Sequence, residues 1–169
     1  MVIGPDNNYY SNLGYYKEQS RDGVIWADSG TKFGKKADIS RNTVLYGHNI
    51  VNDAMFATLH AYEDPAFFAD NPELYVYLPD RILAYEVVAA YEYDDRHILN
   101  SFDFSDPAVR TGYFASVLAP DDPKANVRDG AQLDADDRIV QLSTCRSALT
   151  SDPVRYIVTA VLVGEKPAA

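Results

Sequence analysis

Cysteine is nearly absent from this chain: its 169 residues hold one, Cys145. That excludes an internal disulfide framework and any metal site built from several thiolates. The lone thiol is then either a small buried hydrophobe or a reactive group. Basic residues are also in short supply, fifteen Lys and Arg against twenty-five Asp and Glu, for a formal charge of −10. Such a field repels phosphate backbones and attracts cations or basic segments, so nucleic acid is not an expected partner. No apolar run reaches the length of about eighteen residues that a membrane span needs, and no basic-then-apolar leader opens the chain. The expectation is that nothing here crosses a membrane or directs secretion. Methionine is scarce, two residues against thirteen Tyr and seven Phe, a balance that favours strands over long helices.

What is present fits an ordinary folded domain. Hydrophobic residues make up 47% and charged residues 24%, and the length suits a single domain over 1–169 with a substantial core. Residues 1–20 read as a turn-rich or helical lead-in, with a short helix or turn at Asn12 to Glu18. Gly23-Val24-Ile25-Trp26-Ala27-Asp28 reads as a first strand, and Ser29 to Ser40 as a loop rich in Gly and Lys. Asn42-Thr43-Val44-Leu45-Tyr46 is β-branched and apolar and stops at Gly47-His48-Asn49, a turn-like triplet. Asp53 to Tyr62 predicts a short helix with Met55, Phe56 and Leu59 on one face, and Asp64-Pro65 starts another. Leu74 to Leu78 and Ile82 to Tyr91 form a predicted hairpin whose second arm alternates poorly, as a strand covered on both faces does. An insertion follows over 94–137, with Asp106 as N-cap, Pro107 as first helical residue, and Val109, Tyr113, Phe114, Val117 and Leu118 at helical spacing. One amphipathic helix is expected at about 107–118. Arg138 to Leu142 is a strand ending at Ser143-Thr144-Cys145, and Arg155 to Val163 is another after a polar loop.

Three residues at strand ends carry possible chemistry. Cys145 sits where a sheet gives way to a loop, so a substrate can reach a thiol whose backbone is held. His48 ends a different strand, and imidazole titrates nearest neutrality, so beside a thiol it can take a proton or return one. Arg155 opens a strand ten residues after Cys145, where a guanidinium offers fixed donors to a carbonyl oxygen gaining charge. Singly, each has a plain reading as a buried filler, a solvated turn histidine or a surface ion pair. Their shared placement at strand ends favours a site. His60 and His97 lack that setting and read as solvated. The acidic stretch from Asp121 to Asp137 suits Ca²⁺ by charge, but its spacing fits no EF-hand loop and it reads as a solvated loop.

Leu142-Ser143-Thr144-Cys145, followed by Arg155-Tyr156-Ile157-Val158, resembles the signature of the sortase family. Thr43-Val44-Leu45-Tyr46-Gly47-His48-Asn49 is similar to its histidine segment. Asn7-Asn8-Tyr9-Tyr10, Gly23 to Asp28, Met55-Phe56 and the helical insertion are similar to class B members. The resemblance implies a mostly β fold with peripheral helices, a closed eight-stranded sortase-type barrel with a helix in the insertion before the cysteine strand. It also implies a cysteine transpeptidase on the outer face of a Gram-positive membrane, attached only through an N-terminal anchor absent from this chain. Such an enzyme cleaves the sorting signal of surface proteins after Thr through a thioester, then passes the product to an amine of a peptidoglycan precursor or a pilin lysine. By matching position, Cys145 is the nucleophile, His48 the general acid and base, and Arg155 the oxyanion group. Asn7, Ser143 and Thr144 fall where the sorting peptide is contacted, and no cofactor or metal is implied. Ser11 stands where an apolar residue is usual, and Arg146 where some members carry an acid.

On ordinary titration values thiolate and imidazolium coexist in a minority of molecules at neutral pH, which predicts modest turnover. Two other functions fit the residues. A papain-like peptidase also pairs Cys with His, though its usual order puts the cysteine first. A catalytically silent peptide-binding domain would need an inert Cys145.

Overall fold

Two long runs of apolar, aromatic and β-branched residues become strands of fourteen residues each and form the spine of the molecule. The computed structural model describes residues 1–33, 39–51, 54–149 and 153–168. Part of the predicted loop Ser29 to Ser40, Asp53 at the start of a predicted helix, and part of the polar loop before Arg155 lie outside the described residues. In chain order the elements are β1 (Val2–Ile3), β2 (Trp26–Ala27), β3 (Asn42–Tyr46), β4 (Asn49–Ile50), β5 (Ala54–Met55), a 3-10 helix (Ala57–Glu63), α1 (Pro65–Asp70), β6 (Glu73–Tyr77), β7 (Arg81–Asp94), α2 (Ile98–Ser101), α3 (Pro107–Leu118), β8 (Asn126–Val127), β9 (Ile139–Cys145) and β10 (Val154–Pro167). Among the described residues no helix is long and apolar enough to cross a membrane.

Eight strands make one sheet in the order β1-β2-β3-β9-β10-β7-β6, with β8 added beside β7. The pairs β1–β2 and β3–β9 are parallel and the rest antiparallel. The barrel expected from the resemblance is not seen as a closed ring: among the described residues the pairing path is open, and nothing bonds β1 to β6. One end of the path is a two-residue strand, too short to supply a closing ladder. The sheet nevertheless curls: a single core cluster takes Ala27 from β2, next to one end of the path, and Val76 from β6 at the other. Leu59 and Phe68, on the 3-10 helix and α1, pack into the same cluster.

Alternation along β9 divides the packing. Val140 joins that inner cluster, while Ile139 faces a second one built with Tyr113, Phe114 and Val117 of α3. On the same face as Ile139, Gln141 is fully buried and its side chain makes four hydrogen bonds. Its Oε1 accepts from Asn42 Nδ2 (2.8 Å) and Tyr113 Oη (2.9 Å), and its Nε2 donates to Tyr91 Oη (3.2 Å) and Thr159 Oγ1 (3.1 Å). Helix α3 begins where Asp106 Oδ1 accepts from Ala108 N at 2.8 Å. Its inner face also carries Arg110, 6% exposed, outside the apolar stripe read from the sequence. Arg110 is held by the carbonyls of Phe104, Ser105 and Ala135, so buried charge is matched by acceptors.

Two predicted elements differ. The helix expected from Asp53 to Tyr62 is instead β5 followed by a 3-10 helix, because Met55 takes a φ of 56° and Phe56 N donates to His48 O (3.0 Å). The strand expected from Gly23 to Asp28 shrinks to Trp26–Ala27, since Gly23 has a φ of 57° that no extended strand uses.

Candidate active site

Strands β9 and β10 pair so that Cys145 stands directly opposite Arg155. On the other side of β9, β3 runs parallel with Tyr46 opposite Ser143, and Gly47 N extends that ladder with a bond to Ser143 O (3.1 Å). The next residue is His48. Cys145, His48 and Arg155 therefore line one cavity of about 280 Å³, together with Trp26, Tyr46 and Ser143. By alternation Ser143 and Cys145 share a face. Thr144 borders the cavity but sends its side chain to the opposite face, where Oγ1 is buried without a hydrogen-bond partner among the described residues.

The histidine is oriented by its surroundings. Nε2 of His48 lies 2.8 Å from the Ser11 carbonyl, and a carbonyl only accepts, so Nε2 carries the hydrogen. Nδ1 is left as the nitrogen that can exchange a proton. The ring packs beside Trp26, centroids 5.7 Å apart. A Cβ on Gly23 would lie 2.8 Å from Tyr10 O, 2.9 Å from Ser11 O and 3.3 Å from the His48 ring, so this glycine admits the segment that orients the imidazole. Gly47 does the same for Phe56, whose Cγ would be 2.6 Å from an added Cβ.

Arg155 Nη1 donates to Val154 O at 3.2 Å. Its charge also acts on Tyr46, whose phenol is pushed well up by burial and then by Asp28, with Arg155 opposing. The Tyr46 hydroxyl donates to Asp28 Oδ2 (3.2 Å), which also faces His97 Nε2 (3.0 Å). Asn7 lines the cavity beside them, with its amide committed: Nδ2 to Asp28 (3.1 Å) and against His97, Oδ1 accepting from Ser29 N (2.7 Å). His97, read as solvated from the sequence, is thus a wall of the cavity and the N-cap of α2 through Nδ1. His60, also read as solvated, lies against the Cys145 carbonyl (Nε2, 3.1 Å) and Glu63. The acidic stretch works mainly in loop geometry. Asp122 accepts from Glu92 N and Lys124 N, Asp134 accepts from Asp136 N, and Asp136 pairs with Arg41. Among the described residues no three His, Cys, Asp or Glu side chains gather as a metal site.

A thiol, an imidazole and a guanidinium at one mouth are the parts of a covalent acyl-transfer site. A family model described as the sortase domain matches residues 6–163, and the chain belongs to the sortase family. It is similar to sortase B of Listeria monocytogenes, 28% identical over 171 residues that cover 96% of this chain and 63% of that protein. It is similar to sortase B of Staphylococcus aureus, 25% identical over 163 residues that cover 96% and 64%. The chain thus spans just under two thirds of the length of these curated relatives. The X-ray structure of Clostridium perfringens sortase B has the same fold, with a TM-score of 0.81 at 28% identity over 96% of this chain and 86% of that one. All three of these relatives are sortase B proteins.

Proposed function

We propose that this domain is a cysteine transpeptidase acting on C-terminal sorting peptides. Cys145 Sγ attacks the carbonyl carbon of a threonine, and the oxygen that gains charge is held by Arg155. The C–N bond then breaks, its electron pair leaves on nitrogen, and His48 supplies the proton that nitrogen needs. The thioester that remains is attacked by an amine, which gives up a proton to His48 and expels the thiolate as a new amide forms. Asn7, Ser143 and the main chain at Thr144 contact the peptide.

The register carries this reading: Cys145 faces Arg155 across the ladder, and His48 follows the Gly47 bond to Ser143. A peptidoglycan precursor or a pilin lysine supplies the amine, and the protein works at the outer face of a Gram-positive membrane. One domain over 1–169 and the closed family barrel belong to the same reading, supported by the core that β2 and β6 share.

The test is turnover of sorting peptides containing Thr at the cleavage position, with and without an amine acceptor, in the wild type and in Cys145→Ala. An amine-dependent product lost in Cys145→Ala supports transpeptidation. Hydrolysis alone points to a peptidase, and an unreactive thiol with no turnover points to a binding domain.

A further inference from the structure

Strand β3 stops at Tyr46, while its neighbour β9 runs two residues further, to Cys145. In a parallel ladder the bond after Gly47 N to Ser143 O would come from the main-chain N–H of residue 49 to the Cys145 carbonyl. The chain has by then turned away into β4, which pairs with β5 instead. The Cys145 carbonyl, beside the thiol, has therefore lost its ladder partner, and such a group needs another.

Two side chains take its place. Asn49 Nδ2 donates to the Cys145 carbonyl oxygen at 3.0 Å, and His60 Nε2 lies 3.1 Å from the same oxygen. Asn49 Nδ2 and His60 Nε2 are themselves 3.0 Å apart. His60 is held in turn: Nδ1 meets Glu63 Oε1 at 2.5 Å, and the ring stacks on Tyr156 with centroids 4.9 Å apart at 26°. In the neutral ring Glu63 takes the Nδ1 hydrogen and Nε2 accepts from the Asn49 amide, whose other hydrogen goes to the carbonyl. In the cationic ring Nε2 donates to that carbonyl itself. Asn49 holds the oxygen in both states, while the ring holds it directly when cationic and by orienting the Asn49 amide when neutral. On the far side of the peptide plane, Arg146 N donates to Val154 O at 3.3 Å. The peptide after the cysteine is thus gripped at both its C=O and its N–H.

We propose that His60, oriented by Glu63 and acting with Asn49, is a positioning residue for Cys145. It does not line the cavity that holds the thiol. It grips the nucleophile's own backbone from behind, so that the Cα–Cβ bond keeps its aim at His48. This rests on Cys145 being the nucleophile, and the test separates the two. Because Cys145 is the chain's single cysteine, a methanethiosulfonate reagent reports on that thiol alone, with no peptide substrate required. Its rate follows thiolate fraction and access.

Wild type, His60→Ala and His60→Gln are compared for labelling rate, for kcat and KM on a sorting peptide, and for thermal midpoint. Loss of one such hydrogen bond predicts labelling and kcat lowered roughly tenfold in His60→Ala. KM and the melting midpoint should stay near wild type, and His60→Gln, which keeps an amide at the Nε2 position, should regain most of the rate. Wild-type labelling in His60→Ala overturns the proposal. So does a loss that follows the melting midpoint and is not regained by Gln, which would make the ring a packing element. Turnover retained in Cys145→Ala would instead remove the nucleophile assignment, leaving the labelling result to decide on His60.

Discussion

Cys145 and Arg155 are cross-strand partners, and their spacing is set by the ladder bonds of β9 and β10 rather than by the loop between them. Residues opposed in this way project from the same face of the sheet, which is the arrangement the proposed acyl transfer uses.

Arg155→Ala should lower kcat by roughly two to three orders of magnitude, the usual cost of losing one oxyanion donor. Arg155→Lys, a point charge without the planar fork, should recover only part of it. Steady-state turnover of both variants checks this, and activity close to wild type in Arg155→Ala would remove the residue from the mechanism.

Gly23→Ala places a methyl group 2.9 Å from the carbonyl that orients His48, at a φ of 57°. The substitution should cost about 1–3 kcal/mol of stability and lower turnover as well, because the Ser11 carbonyl must shift. Denaturant melts and kcat measured together test it. A stability loss with unchanged kcat would show that the Ser11 contact does not matter to the imidazole.

Gln141→Leu removes a side chain that satisfies Asn42, Tyr91, Tyr113 and Thr159 at once. Leaving those groups unpaired in the interior should destabilise the fold by about 2–4 kcal/mol. The thiol labelling rate of the protein that remains folded should be unchanged. Urea denaturation gives the first quantity and methanethiosulfonate kinetics the second.

The phenols of Tyr85 and Tyr91 are pushed up to about 12 from 10.0, chiefly by burial. A raised folded-state value favours the native state below pH 10, and that contribution is lost as pH climbs from 10 toward 12. The thermal midpoint should therefore fall across that window. Tyr85 Oη is buried with no hydrogen-bond partner among the described residues, so Tyr85→Phe should keep neutral-pH stability while flattening the alkaline fall. An unchanged fall in Tyr85→Phe would remove this residue as a source.

The strands that carry the site were legible because their signals are local. β-branched and apolar runs lead up to Cys145 and out from Arg155, and Gly47 punctuates the run before His48. The N-cap Asp106 and Pro107 marked the start of α3 for the same reason. What stayed hidden depends on distant partners. His60 looked solvated because its partner is a backbone carbonyl 85 residues away. The only local trace was Glu63, three residues on. Asp28 and His97 meet across a cavity that no spacing reveals, and Arg110 is buried by carbonyls rather than by a carboxylate. The failed helix before Tyr62 follows from a positive φ at Met55, which a non-glycine residue rarely adopts and pattern reading does not anticipate.

The parallel pairing of β3 with β9 joins an early segment of the chain to one near its end. Contacts of such long sequence separation form late and slowly, since the intervening chain must be ordered first. During synthesis, then, His48 leaves the ribosome long before the strand that will stand beside it. Cys145 and Arg155 are made after it, so the three side chains of the cavity come together only once β9 and β10 are in place.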